Sequence, residues 1–166
     1  ILVFRLARRV MQMSVNVATA SFIGYSALNG FTLSGVFLIY TTESIATTFF
    51  ITSSIFIVMA VFGYMTKRDL TKMGSFLYMG LIGIVIALVV NIFIGSSTVS
   101  LAISCLGVII FTGLTAYDVQ KIMKLNIIGN AGTDEDTKEA ILGALTLYLD
   151  FINLFLMLLR LVGNRR

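Results

Sequence analysis

The chain contains no histidine, no tryptophan and no proline, and it has a single cysteine, Cys105. Without histidine there is no imidazole-based nucleophile relay. With only one thiol beside that absence, the usual zinc ligand sets cannot be assembled either. One cysteine also excludes a disulfide within the chain. The lack of proline means that any helix bend must come from glycine or from inserted polar groups. Charge is scarce as well: 12% of the 166 residues are charged, against about a quarter in soluble domains. What fills the space is apolar, at 58%, which excludes disorder and leaves ample material for a core.

Basic residues outnumber acidic ones, 12 to 8, a balance that raises nucleic acid as a partner. Their placement argues against it. Arg5, Arg8 and Arg9, then Lys67, Arg68 and Lys72, then Lys121 and Lys124, and finally Arg165 and Arg166 form small knots between apolar runs. No stripe on a polar face results. Knots of this kind belong to the loops of a membrane protein, with a lipid bilayer as the partner and no nucleic acid.

Residues 10–42 carry no charge. A membrane span needs about 20 apolar residues, so one long or bent helix over 14–40 is expected. Ala20/Gly24 and Ser26/Gly30 are small residues four apart, a spacing that lets helices approach closely in lipid. Asn29-Gly30 marks a local break or a packing contact, because a lipid-buried turn would strand backbone groups. Thr41, Thr42 and Glu43 read as a polar link. A second complete span covers 44–66. Residues 73–117, again uncharged, are too many for one span, and Gly95-Ser-Ser-Thr98 divides them into helices over 73–94 and 99–122. Residues 125–139 form the polar connection, with Asp134, Glu135 and Asp136 as a solvated acidic loop that lacks the spacing of a calcium loop. A last span covers 140–162. The opening ILVFRLARR reads as a stub over 1–9, the tail of a helix whose beginning is missing. The whole is a single transmembrane domain over 1–166.

Continuous apolar runs without alternation argue against a β-barrel, and the absence of polar stripes argues against a soluble bundle. The fold class is an all-α membrane protein with five complete transmembrane helices and a stub. The basic knots all fall on one face of this serpentine, which the positive-inside rule makes cytoplasmic. The C-terminus then faces outward, against the sense of Arg165 and Arg166, unless the last helix fails to cross.

Within these spans Asp150 is the costliest residue, set in YLDFINLFLMLLRL. A buried carboxylate needs a partner, an ion or a proton. Asp118, near the cytoplasmic end of the preceding span, is the candidate. Two carboxylates sharing a low-dielectric site titrate as a unit, and they also offer oxygens to a hard cation such as calcium, weakly or transiently, with water and backbone carbonyls completing its shell. Tyr117, Tyr148 and Asn153 are placed to share hydrogen bonds with the pair, and Arg8 is the basic partner at the cytoplasmic face. Plainer readings stand beside these. Asp118 snorkels to the interface beside Lys121, Asp150 is a structural bridge between helices, and Arg8 only sets topology.

Four stretches carry a family resemblance: NGFTLSGVFLIY at 29–40, GYMTKRDLTKMGSFLYMGLIG at 63–83, IFTGLTAYDVQKI at 110–122 and LYLDFINLFLMLLRLVG at 147–163. Together they resemble the Bax inhibitor-1 family, also called the transmembrane Bax inhibitor motif family, and its bacterial members most closely. The resemblance covers essentially the whole chain. It implies a seven-helix bundle, of which this chain holds the end of the second helix and all of the last five. It further implies a pH-sensitive calcium leak in a bacterial cytoplasmic (inner) membrane. Asp118 and Asp150 match that family's proton-sensing aspartates, and Arg8, or else Arg9 or Arg5, matches the arginine that latches the closed pore.

The expected function is therefore a calcium leak with a di-aspartyl proton sensor. It uses no cofactor, and calcium is its transported ion. The alternative, also implied by the resemblance, is an interaction protein without transport that moderates a membrane-bound ATP-dependent protease or a stress response. Proton-coupled carriage of a small solute is a third reading, although no inverted repeat is visible. Enzymatic activity is not expected, since no nucleophile relay or metal site can be drawn.

Overall fold

The computed structural model describes residues 13–126 and 132–165, apart from the side chains of Thr32, Leu125 and Asn126. The stub expected over 1–9 lies outside the described residues. The elements in order are α1 (Val15–Leu33), the single turn α2 (Val36–Ile39), α3 (Thr42–Met65), α4 (Thr71–Ile94), α5 (Ser97–Asn126) and α6 (Asp134–Val162). With α1 and α2 taken as one span, five helical segments among the described residues are long and apolar enough to cross a membrane.

The ends of the helices follow capping chemistry more closely than polarity. The first charge-free run is helical straight through Asn29-Gly30 and breaks instead at Ser34-Gly35, where the Ser34 hydroxyl donates to the Phe31 carbonyl at 2.6 Å. Thr41 caps α3, its hydroxyl oxygen accepting from the Ser44 N–H at 3.3 Å. Glu43 thus sits in the first helical turn, not in a loop, where a carboxylate complements the helix dipole. Gly95 ends α4 in the left-handed conformation, φ 67°, as a C-terminal glycine does. The largest correction concerns α6. Thr133 caps it by accepting from the Asp136 N–H at 3.2 Å, and the acids Asp134, Glu135 and Asp136 form its first turn. What reads as a solvated loop is a helix start with favourable dipole chemistry.

Several serines and threonines inside the spans satisfy themselves, although the buried Ser26 hydroxyl has no partner among the described residues. Thr52, Ser54, Ser104 and Thr115 each donate to the carbonyl one turn back, at 2.7 to 2.9 Å, so they add no exposed polar group in lipid. Outward-facing side chains are strongly apolar, with Phe93 86%, Phe31 81% and Leu38 81% exposed, a surface that suits acyl chains and not water.

At the centre α5 and α6 pack along each other. α5 also carries α3 and α4 on its flanks, while α6 additionally meets α3 and α1. Their shared core contains Leu77 and Ile84 of α4, Phe111 and Leu114 of α5, and Leu154 and Leu158 of α6. A side chain at Gly63 would overlap the Ala116 carbonyl, so the glycine is what allows α3 to lie backbone-to-backbone on α5. Phe151 of α6 meets Phe49 and Phe56 of α3 edge-on, with ring centroids 5.6 and 5.4 Å apart. Beyond α6, the Asn164 carbonyl accepts from the Thr41 N–H at 3.2 Å and the Asn164 N–H donates to the Ser44 hydroxyl at 3.0 Å. The last helix therefore ends where α3 begins, at the opposite end of the bundle from Lys67, Arg68 and Lys124.

Candidate functional site

The closest helix pair brings the two intramembrane acids together. Asp118 of α5 is 2% exposed and Asp150 of α6 is 5% exposed, and their carboxyl groups are within side-chain hydrogen-bonding reach of each other. Two bare carboxylates have no donor between them and repel. One proton held between them supplies a donor and an acceptor at once, and the pair then behaves as a single titrating unit. The Oδ2 of Asp150 is a buried acceptor left without a donor among the described residues.

A third group completes the site. The Tyr78 hydroxyl, from α4, donates to Asp118 Oδ1 at 3.1 Å, with Oδ2 at 3.4 Å. Its ring meets Tyr117 edge-on with centroids 6.0 Å apart, and Tyr117 in turn lies over Gly74, where a Cβ would overlap its ring. Three consecutive helices thus converge on one carboxylate. Tyr78 lies roughly 10 Å of helical rise beyond Thr71, and Asp150 roughly 18 Å before Val162. Both positions fall within an apolar layer of about 30 Å.

The sequence singles out the two acids but not Tyr78, although a phenol within an apolar span needs a partner for its hydroxyl. The supporting residues turn out differently. Asn153 donates to the Leu149 carbonyl of its own helix at 2.8 Å and does not reach the acids, because a backbone acceptor lies one turn away on the same helix. Tyr117 contributes its ring and makes no hydrogen bond to either carboxylate, and Tyr148 makes none among the described residues. Lys121 is exposed and forms no ion pair with Asp118, so the snorkelling reading of that acid does not describe this arrangement. Arg5, Arg8 and Arg9, the latch candidates, lie outside the described residues. Among the described residues no group of three or more His, Cys, Asp or Glu gathers as a metal cage.

A family model described as "Inhibitor of apoptosis-promoting Bax1" matches residues 1–166. The chain belongs to this family. Among the relatives of this chain, a protein of Borreliella burgdorferi is 54% identical over 165 residues, which is 99% of this chain and 71% of the relative. The Escherichia coli K12 protein called inner membrane protein YbhL is 51% identical over 166 residues, again 99% of this chain and 71% of the relative. A Rickettsia prowazekii protein is 53% identical over 156 residues, 93% of this chain and 65% of the relative. This family member is an integral membrane protein, all-α and multi-spanning.

Proposed function

We propose that the protein is a pH-sensitive, non-enzymatic calcium leak of a bacterial inner membrane, with Asp118 and Asp150 as both proton sensor and cation path. The reading is supported above all by the buried carboxyl pair, which has no stable use in lipid unless a proton or a cation occupies it. When the shared proton leaves, two like charges face each other across the α5–α6 seam. The helices must then separate, admit water or take up a cation. Tyr78 holds Asp118 in place through this change. Calcium passing here takes carboxylate oxygens transiently and most of its shell from water. The fold completes itself as a seven-helix bundle, with the basic face cytoplasmic and Arg8, or Arg9 or Arg5, latching the closed form.

Calcium entry into liposomes holding the full-length protein tests this, measured against pH with Asp118→Asn and Asp150→Asn beside the native chain. The expected result is flux that varies with pH in the native protein and loses that variation in either variant. Native flux that is absent, from a folded protein, would move the reading to an interaction role at a membrane-bound protease.

A further inference from the structure

On the basic face a second polar site is built from different residues. A cavity of about 380 Å³ opens between the 66–70 loop, the end of α3 and the last turns of α5, lined by Gly63, Thr66, Lys67, Arg68, Gln120 and Lys124 among others. We infer that this cavity binds the phosphate of an anionic phospholipid headgroup, with Lys67 and Arg68 as its charged ligands.

The loop is held by hydrogen bonds from Gln120 of α5 and from its own Asp69. Gln120, 8% exposed, accepts from the Leu70 N–H at 2.9 Å and donates to the Arg68 carbonyl at 2.8 Å. Asp69 accepts from the Thr71 N–H at 3.2 Å and its hydroxyl at 2.6 Å, and it bonds Lys124 at 2.7 Å. These bonds fix the backbone that follows Lys67, from the Arg68 carbonyl to Thr71, and on the other side the Thr66 hydroxyl accepts from the Arg68 N–H at 3.4 Å. A charge that only sets membrane topology needs no such framework; it needs only to be positive.

The charges are then distributed in a way that suits an anion from outside. The hydrogen bond to Lys124 holds the Asp69 carboxyl far below the usual carboxylate range, so Asp69 stays ionised and committed to that lysine. Lys67 and Arg68 are exposed and form no ion pair among the described residues. Arg68 offers a planar fork of donors and Lys67 a compact point charge, the pairing that phosphate oxygens accept best.

Position selects lipid over free phosphate. The loop joins the ends of two spanning helices, at the level where headgroups lie. Tyr64 and Met65, immediately before it, are 65% and 72% exposed. They offer a tyrosine at the interface and an apolar track for the acyl chains of the same lipid molecule.

The test titrates the full-length protein in neutral detergent with phosphatidylglycerol or phosphatidylcholine and counts bound lipid by native mass spectrometry. Phosphatidylglycerol should be preferred at least about tenfold, and Lys67→Ala/Arg68→Ala should remove that preference. Lys72→Ala/Lys121→Ala takes the same charge from the same face outside the cavity and should retain it. The side chains of Lys67 and Arg68 leave the Gln120 bonds untouched, and unchanged helical circular dichroism would confirm an intact fold. Preference that survives the first double variant, or is lost equally in the second, would overturn the proposal. So would inorganic phosphate binding as tightly as the lipid.

Discussion

Two acid sites in this protein invite comparison. Asp69 pairs with Lys124 at 2.7 Å on the open basic face, with side chains 69% and 54% exposed. Asp118 meets Asp150 and Tyr78 in the apolar layer, with the two acids 2% and 5% exposed. The first has the opposite charge beside it and water around it, so its bond is screened and its loss is cheap. The second has another acid beside it and apolar helix faces around it, so in the proposed mechanism its protonation state governs how the central helices fit. Burial, and not the number of bonds, is what separates the two sites, and it is why the proposed sensor is placed at the second.

Neutralising each site in turn should break the symmetry between them most visibly. Asp150→Asn should abolish the pH dependence of calcium flux, while Asp69→Asn should leave the pH profile in place. Liposome flux across a pH series reads both. If the two variants behaved alike, the distinction drawn from burial would be wrong.

The next effect in size concerns the donor that steadies the buried pair. Tyr78→Phe keeps the ring against Tyr117 and removes only the hydroxyl, leaving Asp118 one hydrogen bond short at a cost of about 1–3 kcal/mol. Denaturant unfolding in micelles should show that loss. Gln120→Leu is the matching test on the basic face. It strands the Leu70 N–H and the Arg68 carbonyl, so a similar cost of about 1–3 kcal/mol is expected, together with faster hydrogen exchange at Leu70.

The smallest effect belongs to Asp69 itself. Because the Lys124 hydrogen bond lowers its proton affinity in the folded state, its stabilising contribution is complete above the ordinary carboxylate value. That contribution fades as pH falls through the depressed folded-state value. Asp69→Asn should therefore alter stability little at neutral pH, and still less in acid or at high salt, when measured by thermal unfolding across pH and ionic strength.

Much of this architecture is legible in the residues, for reasons that can be named. Long uncharged runs report spans because lipid tolerates nothing else, and Gly95 divides one run because a left-handed cap ends a helix wherever it sits. Asp150 stands out because its cost in lipid demands a partner, and Asp118 is the acid on the preceding span. Other features depend on contacts between distant segments. Tyr78 lies 40 positions before Asp118 and looks like any aromatic in a span until α4 is laid against α5. Gln120 looks like a helix-end polar residue until the 66–70 loop closes over it. The start of α6 is hidden differently: Thr133 and three acids have the composition of a loop and the chemistry of a helix N-terminus.

Whether Asp118 and Asp150 act as one unit is read by a double-mutant cycle. Unfolding free energies of the full-length native protein, Asp118→Asn, Asp150→Asn and the double variant should depart from additivity by at least about 1 kcal/mol, as groups in direct contact do. The coupling should itself change with pH, because it carries the shared proton. Additive effects within about 0.5 kcal/mol at every pH would show two independent acids with no shared proton.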